Sequence, residues 1–390
     1  MRWSMRSQLR DSLSGDAARW RTLVAEFGTP LLVLDPDRVV EQYQSLTTHL
    51  DGVRPHYAVK ALPHPAVLSA IARCGGGFDV ATNAEVDVVR SLGIAMQRCI
   101  HTHPVKKVAD IEYAYRAGIR TFVVDNQVEA QKFTGLPADI EILVRLAFHN
   151  PAAKHDLSTK FGVDPADAEL LAKYVTAAGV RFKGFSFHVG TQCSSAEPFR
   201  LALKTTVELA DHVGRVLGVP VTTIDIGGGF PVTYREHMPD ISAIGAAIDD
   251  VLGAGHGFDL LAEPGRFLVA DSMTLLSSVV GTAVRDGRMW HYLDDGLYGS
   301  YSNILTEDIH PPVLALSELD RVTADYEPVT LAGPTCDCVD VVARDYPMPP
   351  LRVGDVVVSP MMGAYTTVTS SRFNGLPETR IVVSRRECSC

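Results

Sequence analysis

Lys60 closes the run His56-Tyr-Ala-Val-Lys60-Ala61, an apolar setting for a primary amine. Desolvation there would lower its pKa and leave a free amine able to attack a carbonyl, so Schiff-base chemistry is the natural use. A solvated lysine at a strand end is the plainer alternative. In Asp225-Ile-Gly227-Gly228-Gly229-Phe-Pro231, three successive glycines let backbone N–H groups turn toward an anion such as a phosphate, or simply make a tight turn. Glu263-Pro-Gly-Arg266 offers a carboxylate that, if buried, needs a cationic partner. A protonated pyridine nitrogen would serve, with Arg266 adding a fork of donors to the phosphate. The alternative is a Glu263–Arg266 ion pair. His188, in Phe187-His-Val-Gly-Thr-Gln192, has a ring that can stack on a flat cofactor or merely hydrogen bond. Cys336 and Asp337, in Gly333-Pro-Thr-Cys-Asp-Cys-Val-Asp340, put a thiol beside a carboxylate after a turn, as a proton donor would be placed. A metal site built from Cys336, Cys338, Cys388 and Cys390 lacks the usual ligand spacing and a histidine, so no metal is expected.

These residues need elements to hold them. Short apolar or β-branched runs recur at His56–Lys60, Gly77–Ala81, Arg98–Thr102, Thr121–Asp125, Ile140–Leu146, Phe182–His188, Thr223–Ile226 and Leu260–Glu263. Segments between them, such as Pro65–Arg73, Ala84–Leu92 and Ala166–Ala178, space apolar residues as amphipathic helices do. Eight strand–helix repeats predict an α/β fold, a (β/α)8 TIM barrel. Lys60, Asp79, Asp125, Arg145, His188, Gly227–Gly229 and Glu263 all fall at the downstream ends of those strands, the face where such barrels carry their sites. After Arg266 the runs Met289–Leu293, Val329–Leu331, Val353–Val358 and Arg380–Val383 read as a β-rich domain. Pro30–Asp35 is placed to join it. The expected boundaries are 1–35 (tail and strand), 36–266 (barrel) and 267–390 (β domain), with residues 1–15 as a frayed tail.

The 390 residues carry 46 acidic and 36 basic side chains, and a net charge of -10 opposes binding to nucleic acid or anionic lipid. The most apolar stretch, Phe267 to Val284, is broken by Asp271 and too short for a membrane span. No signal-like apolar run opens the chain, and seven cysteines, an odd number, fit a reducing compartment; a cytoplasmic protein is expected.

In this order, Tyr57-Ala-Val-Lys60, His188-Val-Gly190, the triple glycine, Glu263-Pro-Gly-Arg266, Gly333-Pro-Thr-Cys-Asp337 and Gly363-Ala-Tyr365 resemble the pyridoxal-phosphate decarboxylases of the alanine-racemase-like barrel fold. The resemblance spans residues 30–385; Leu157-Ser-Thr-Lys-Phe-Gly162 and Phe373-Asn-Gly375 look like its ornithine-type branch. It implies that Lys60 holds pyridoxal 5′-phosphate as a Schiff base and that Glu263 keeps the ring nitrogen protonated. It further implies that His188 stacks on the ring, while Gly227, Gly228, Gly229, Arg266 and Tyr365 hold the phosphate. Arg145 and Asp79 would brace the ring environment and Lys60. In such enzymes Cys336 and Asp337 come from the partner of a homodimer, the thiol protonating the α-carbon and Asp337 binding the substrate's distal ammonium. Tyr298 and Phe373 would line the substrate pocket, and Lys160 and Asp340 would pair across the dimer.

One departure bears on the substrate. Where ornithine-type enzymes carry an aspartate after Tyr-Gly-Ser, this chain reads Tyr298-Gly-Ser-Tyr-Ser-Asn-Ile-Leu-Thr-Glu307, followed by Asp308. Ornithine is the expected substrate, with lysine second. Diaminopimelate would need cations for its distal carboxylate, yet Met289 to Asp320 holds no Lys or Arg and includes Asp294, Asp295, Glu307 and Asp308. An amino-acid racemase would want a second acid–base residue facing Lys60, and a non-catalytic relative would have lost Lys60, Glu263, Arg266 or Cys336.

Overall fold

The computed structural model describes residues 3–151, 153–253, 255–320 and 325–385. Two N-terminal helices, α1 (Trp3–Leu13) and α2 (Ala17–Phe27), precede β1 (Leu31–Leu34) and α3 (Pro36–His49). Eight parallel strands then close into a barrel: β2 (Val53–Ala58), β3 (Gly77–Val80), β4 (Cys99–His101), β5 (Thr121–Val124), β6 (Glu141–Leu146), β7 (Arg181–Phe187), β8 (Thr223–Asp225) and β9 (Asp259–Ala262). β2 seals the barrel against β9 with Val53 opposite Leu260. Strands buried on both faces read as continuous apolar runs, as Phe122-Val-Val124 does. Ile100, Val123, Leu143 and Leu261 make a buried cluster from β4, β5, β6 and β9.

The second sheet contains β10 (Met273–Arg285), β11 (Arg288–Leu293), β12 (Leu314–Ala315), β13 (Glu327–Ala332), β14 (Val341–Met348), β15 (Val356–Ser359) and β16 (Arg380–Val383). Its order is β12-β15-β10-β11-β13-β14, and β1 pairs antiparallel with β10 and parallel with β16. The expected barrel, β-rich sheet and N-terminal strand are all present. By compactness the chain divides into Met1–Val39 with Thr233–His237 and Val269–Cys390, and Val40–Val232 with Met238–Leu268. The segment around Arg235 joins the first unit because its Nε and Nη2 donate to the Pro311 carbonyl while the guanidinium lies 4.6 Å from the Tyr346 ring centroid.

Residues 3–15 are not the frayed tail that their charge pattern suggests. α1 buries Arg6, which forks onto Glu318 at 3.0 and 2.8 Å, and Leu13, Ala17 and Trp20 pack with Leu31, Leu276, Leu314 and Val358. Phe267 to Val284 is also no helix for most of its length: β10 takes Met273 onward, with β1 paired along one edge and β15 along the other. Among the described residues no helix is long and apolar enough to cross a membrane.

Candidate active site

Each barrel strand delivers one chemical group at its downstream end. β2 runs into a tight turn at Val59–Ala61, tied down by the Ala58 N–H on the Pro264 carbonyl (3.1 Å), and Lys60 emerges from it. Its Nζ donates to Asp79 Oδ2 at 2.8 Å. The Asp79 side chain is fully buried and its other oxygen accepts from the Thr102 hydroxyl, whereas the Lys60 side chain is 45% exposed. This corrects the expected desolvated amine: the strand end opens outward, and an ion pair rather than an apolar wall sets the lysine's surroundings.

Arg145, next to last in β6, has its guanidinium carbon 5.7 Å from the Phe161 ring centroid and a buried Nε with no acceptor. His188 follows β7; its Nδ1 accepts from the Gly190 N–H at 3.1 Å, which leaves the proton on Nε2. Burial, then the charges of Arg145 and Lys60, push its pKa down to about 3, so the ring is neutral and flat. Gln192 steadies the glycine loop by exchanging two 2.9 Å hydrogen bonds with the Val232 backbone.

The glycines have no room for side chains. A Cβ on Gly227 would sit 2.1 Å from the Phe187 carbonyl, on Gly228 2.7 Å from the Glu263 carbonyl, and on Gly229 2.1 Å from the Gly190 carbonyl. Gly227 and Gly229 also have φ of 67° and 93°, where side chains are strained. The Gly227 peptide joins two acids: its N–H donates to Asp225 Oδ1 (2.9 Å) and its carbonyl accepts from the Glu263 N–H (2.7 Å). The Asp225 and Glu263 side chains then meet each other, both buried, and two such carboxyls in contact must share a proton. Burial foremost pushes Asp225 up to about 6; burial and then the Asp225 charge hold Glu263 well above the usual carboxylate range. Asp225 was passed over in the sequence as the first residue of a glycine turn. Arg266 is buried at the first position of the short helix Arg266–Val269 that follows β9.

Asp125 serves the scaffold, accepting from Gly162 N–H (3.0 Å) and Asn126 Nδ2 (2.8 Å). In the loop it braces, Lys160 Nζ stands 5.0 Å from the Phe161 ring centroid.

The β unit gathers a second group. Tyr298 stacks on Phe373 with ring centroids 4.5 Å apart, and its hydroxyl donates to Asp337. That hydroxyl, then the Val339 N–H at 3.1 Å, hold the Asp337 carboxyl below the usual range, keeping it ionised. Cys336 and Cys338 are exposed thiols on either side of it. Glu307 ends the helix Ser302–Glu307, and Asp308 follows in a left-handed turn paired to His310. Tyr365 also has a left-handed backbone, φ 60°, and its carbonyl accepts from the Thr369 hydroxyl.

Three carboxylates are committed locally. Asp294 accepts from Ser278 N–H, and Asp295 from Gly296 N–H, Ser300 N–H and the Thr379 hydroxyl. Counting those two as charges waiting for a cationic substrate is therefore corrected: they fasten a turn. Asp340 is buried and accepts from Leu297 N–H, Thr335 N–H and the Thr335 hydroxyl, so an ion pair with a partner's lysine would have only its remaining lone pair. Among the described residues no three His, Cys, Asp or Glu cluster to hold a metal; Cys388 and Cys390 lie outside those residues.

The barrel's donor set fits a phosphorylated pyridine aldehyde. It supplies an amine, a side-chain-free anion cradle, a flat neutral ring, an arginine with a spare buried N–H and a buried acid pair for a ring nitrogen. Comparison with known proteins agrees. Residues 36–270 match the family model for the pyridoxal-binding domain of pyridoxal-dependent decarboxylases. The lysine/ornithine decarboxylase of Selenomonas ruminantium is 35% identical over 91% of this chain and 89% of its own. A crystal structure of the Vibrio vulnificus lysine/ornithine decarboxylase with putrescine superposes with a TM-score of 0.88 at 38% identity, covering 94% of this chain and 98% of that one. The structure of that enzyme with cadaverine gives the same TM-score, identity and coverage of this chain. The chain belongs to the pyridoxal-dependent decarboxylases.

Proposed function

We propose that this protein decarboxylates a basic L-amino acid, ornithine in preference to lysine. The observation that carries the reading is Asp337: an ionised carboxylate, held by Tyr298 and Val339 beside the Cys336 thiol, suits a cationic substrate tail. The Vibrio vulnificus relative, bound to putrescine in one structure and cadaverine in another, supports that class.

Lys60 would hold pyridoxal phosphate, and Asp79, already paired with its Nζ at 2.8 Å, would balance the charge of the free lysine. Gly227, Gly228, Gly229 and Arg266 would hold the phosphate, and His188, Arg145 and Glu263 would hold the ring, Glu263 keeping its nitrogen protonated. The bound cofactor supplies the electron sink that accepts the pair left when carbon dioxide departs. Cys336 then delivers a proton to the α-carbon, and Asp337 and Glu307 grip the distal ammonium. We infer from the family resemblance that the protein is a homodimer in which Cys336 and Asp337 act on the cofactor held by the other subunit. Mixing Lys60→Ala with Cys336→Ala protein should then restore diamine formation above what either variant gives alone.

Carbon dioxide release from ornithine, lysine, arginine, diaminobutyrate and diaminopimelate by the cofactor-loaded protein tests the substrate. Ornithine should lead and lysine follow. Release from diaminopimelate alone, or from none, would overturn the reading.

A further inference from the structure

Asn374 lies in the turn Phe373–Gly375 with φ 56° and ψ 13°, the left-handed region that asparagine tolerates better than most residues. Residues held there tend to be over-determined by their surroundings, and here both neighbours matter. Phe373 stacks on Tyr298, the residue that holds Asp337, and Gly375 is itself left-handed at φ 72°. The Asn374 side chain makes two contacts with one residue. Its Oδ1 accepts from the Cys336 N–H at 3.1 Å, and its Nδ2 donates to the Cys336 sulfur at 3.3 Å. A backbone N–H can only donate, so the carboxamide oxygen must face it and the NH2 must face sulfur.

The geometry points to Asn374 as the positioning residue of the Cys336 thiol; this rests on the reading of Cys336 as the acid that returns a proton to the α-carbon. The amide anchors that residue at its backbone and at its sulfur together, fixing the side-chain rotamer. With one sulfur lone pair occupied by Nδ2–H, the S–H bond is directed away from Asn374. When the S–H bond breaks and a C–H bond forms at the α-carbon, the same Nδ2–H supports the charge left on sulfur. Other side chains do less. Serine reaches one of the two atoms, glutamine adds a methylene, and aspartate replaces the N–H with an oxygen that would draw the thiol proton toward itself.

Two measurements test this. In cofactor-free protein near neutral pH, the iodoacetamide reaction of Cys336 is followed by peptide mass spectrometry with Cys338 as internal reference. Asn374→Asp keeps the shape but reverses the contact, and should slow Cys336 roughly fivefold or more, the factor for a hydrogen bond worth about 1 kcal/mol. In the loaded enzyme, Asn374→Gly removes both contacts while keeping the backbone conformation. It should lower kcat with little change in KM, leave the melting temperature undiminished, and raise several-fold the fraction of turnovers in which the proton goes to the cofactor carbon. Those turnovers release a carbonyl product on hydrolysis and leave the amine on the cofactor. Unchanged Cys336 alkylation in Asn374→Asp overturns the contact, and wild-type product partition in Asn374→Gly overturns its consequence. If Cys336→Ala itself shows wild-type partition, the acid assignment fails instead, and the alkylation result still decides whether Asn374 governs the thiol.

Discussion

Asp225 and Glu263 press two carboxyls together away from water, an arrangement that should cost the cofactor-free protein stability, and Asp225→Asn measures the cost. Asparagine can still accept the Gly227 N–H, and its NH2 can donate to Glu263 where the shared proton now sits. The folded pKa of Asp225 is raised, from 3.8 to about 6, chiefly by burial. A raised carboxyl contributes stability that is present below its unfolded pKa and is lost as pH rises through the folded one. The penalty is therefore small below about pH 4, roughly half developed near pH 5, and amounts to about 3 kcal/mol above about pH 7. The variant should gain up to that amount at about pH 8, which for a domain of this size raises the melting temperature by about 6–10 °C. Thermal and urea unfolding of cofactor-free wild type and variant at about pH 8 and pH 5 would show it. A variant no more stable than wild type at the higher pH, or equally stabilised at both, would refute the shared-proton reasoning.

Gly227→Ala should weaken pyridoxal phosphate binding at least about tenfold in a spectroscopic titration, since left-handed backbone alone costs a side chain about 1–2 kcal/mol and the Cβ meets the Phe187 carbonyl. Gly281→Ala in β10, where nothing lies nearer than 3.7 Å, should leave binding alone. Arg6→Ala should destabilise the protein by about 3 kcal/mol in denaturant unfolding by stranding the buried Glu318; a truly frayed tail would make it silent. Glu307→Asp should raise activity on lysine relative to ornithine by about tenfold, the worth of one methylene in a pocket; an unchanged ratio would remove Glu307 from the distal site.

The barrel was legible because its strands are buried on both sides, so their apolar runs stand out, and because Lys60, His188 and Glu263 are odd residues to find at their ends. What escaped the sequence depends on distant partners. Asp225 acquires meaning only when β8 pairs with β9, setting it opposite Leu261 and bringing its carboxyl to Glu263. Arg6 looks like a surface charge until Glu318, 312 positions away, receives it. Asp294 and Asp295 read as free acids because a sequence does not show which backbone N–H groups a turn will aim at them. Asn374 likewise lies 38 positions from the thiol it contacts.

Borohydride reduction of the cofactor-loaded protein, followed by peptide mass spectrometry, tests the central claim most directly. A pyridoxyl phosphate adduct on Lys60, with carbon dioxide release from ornithine lost in step with it, is the predicted result. An adduct on a different lysine, or full reduction with no adduct and undiminished release, would contradict the account.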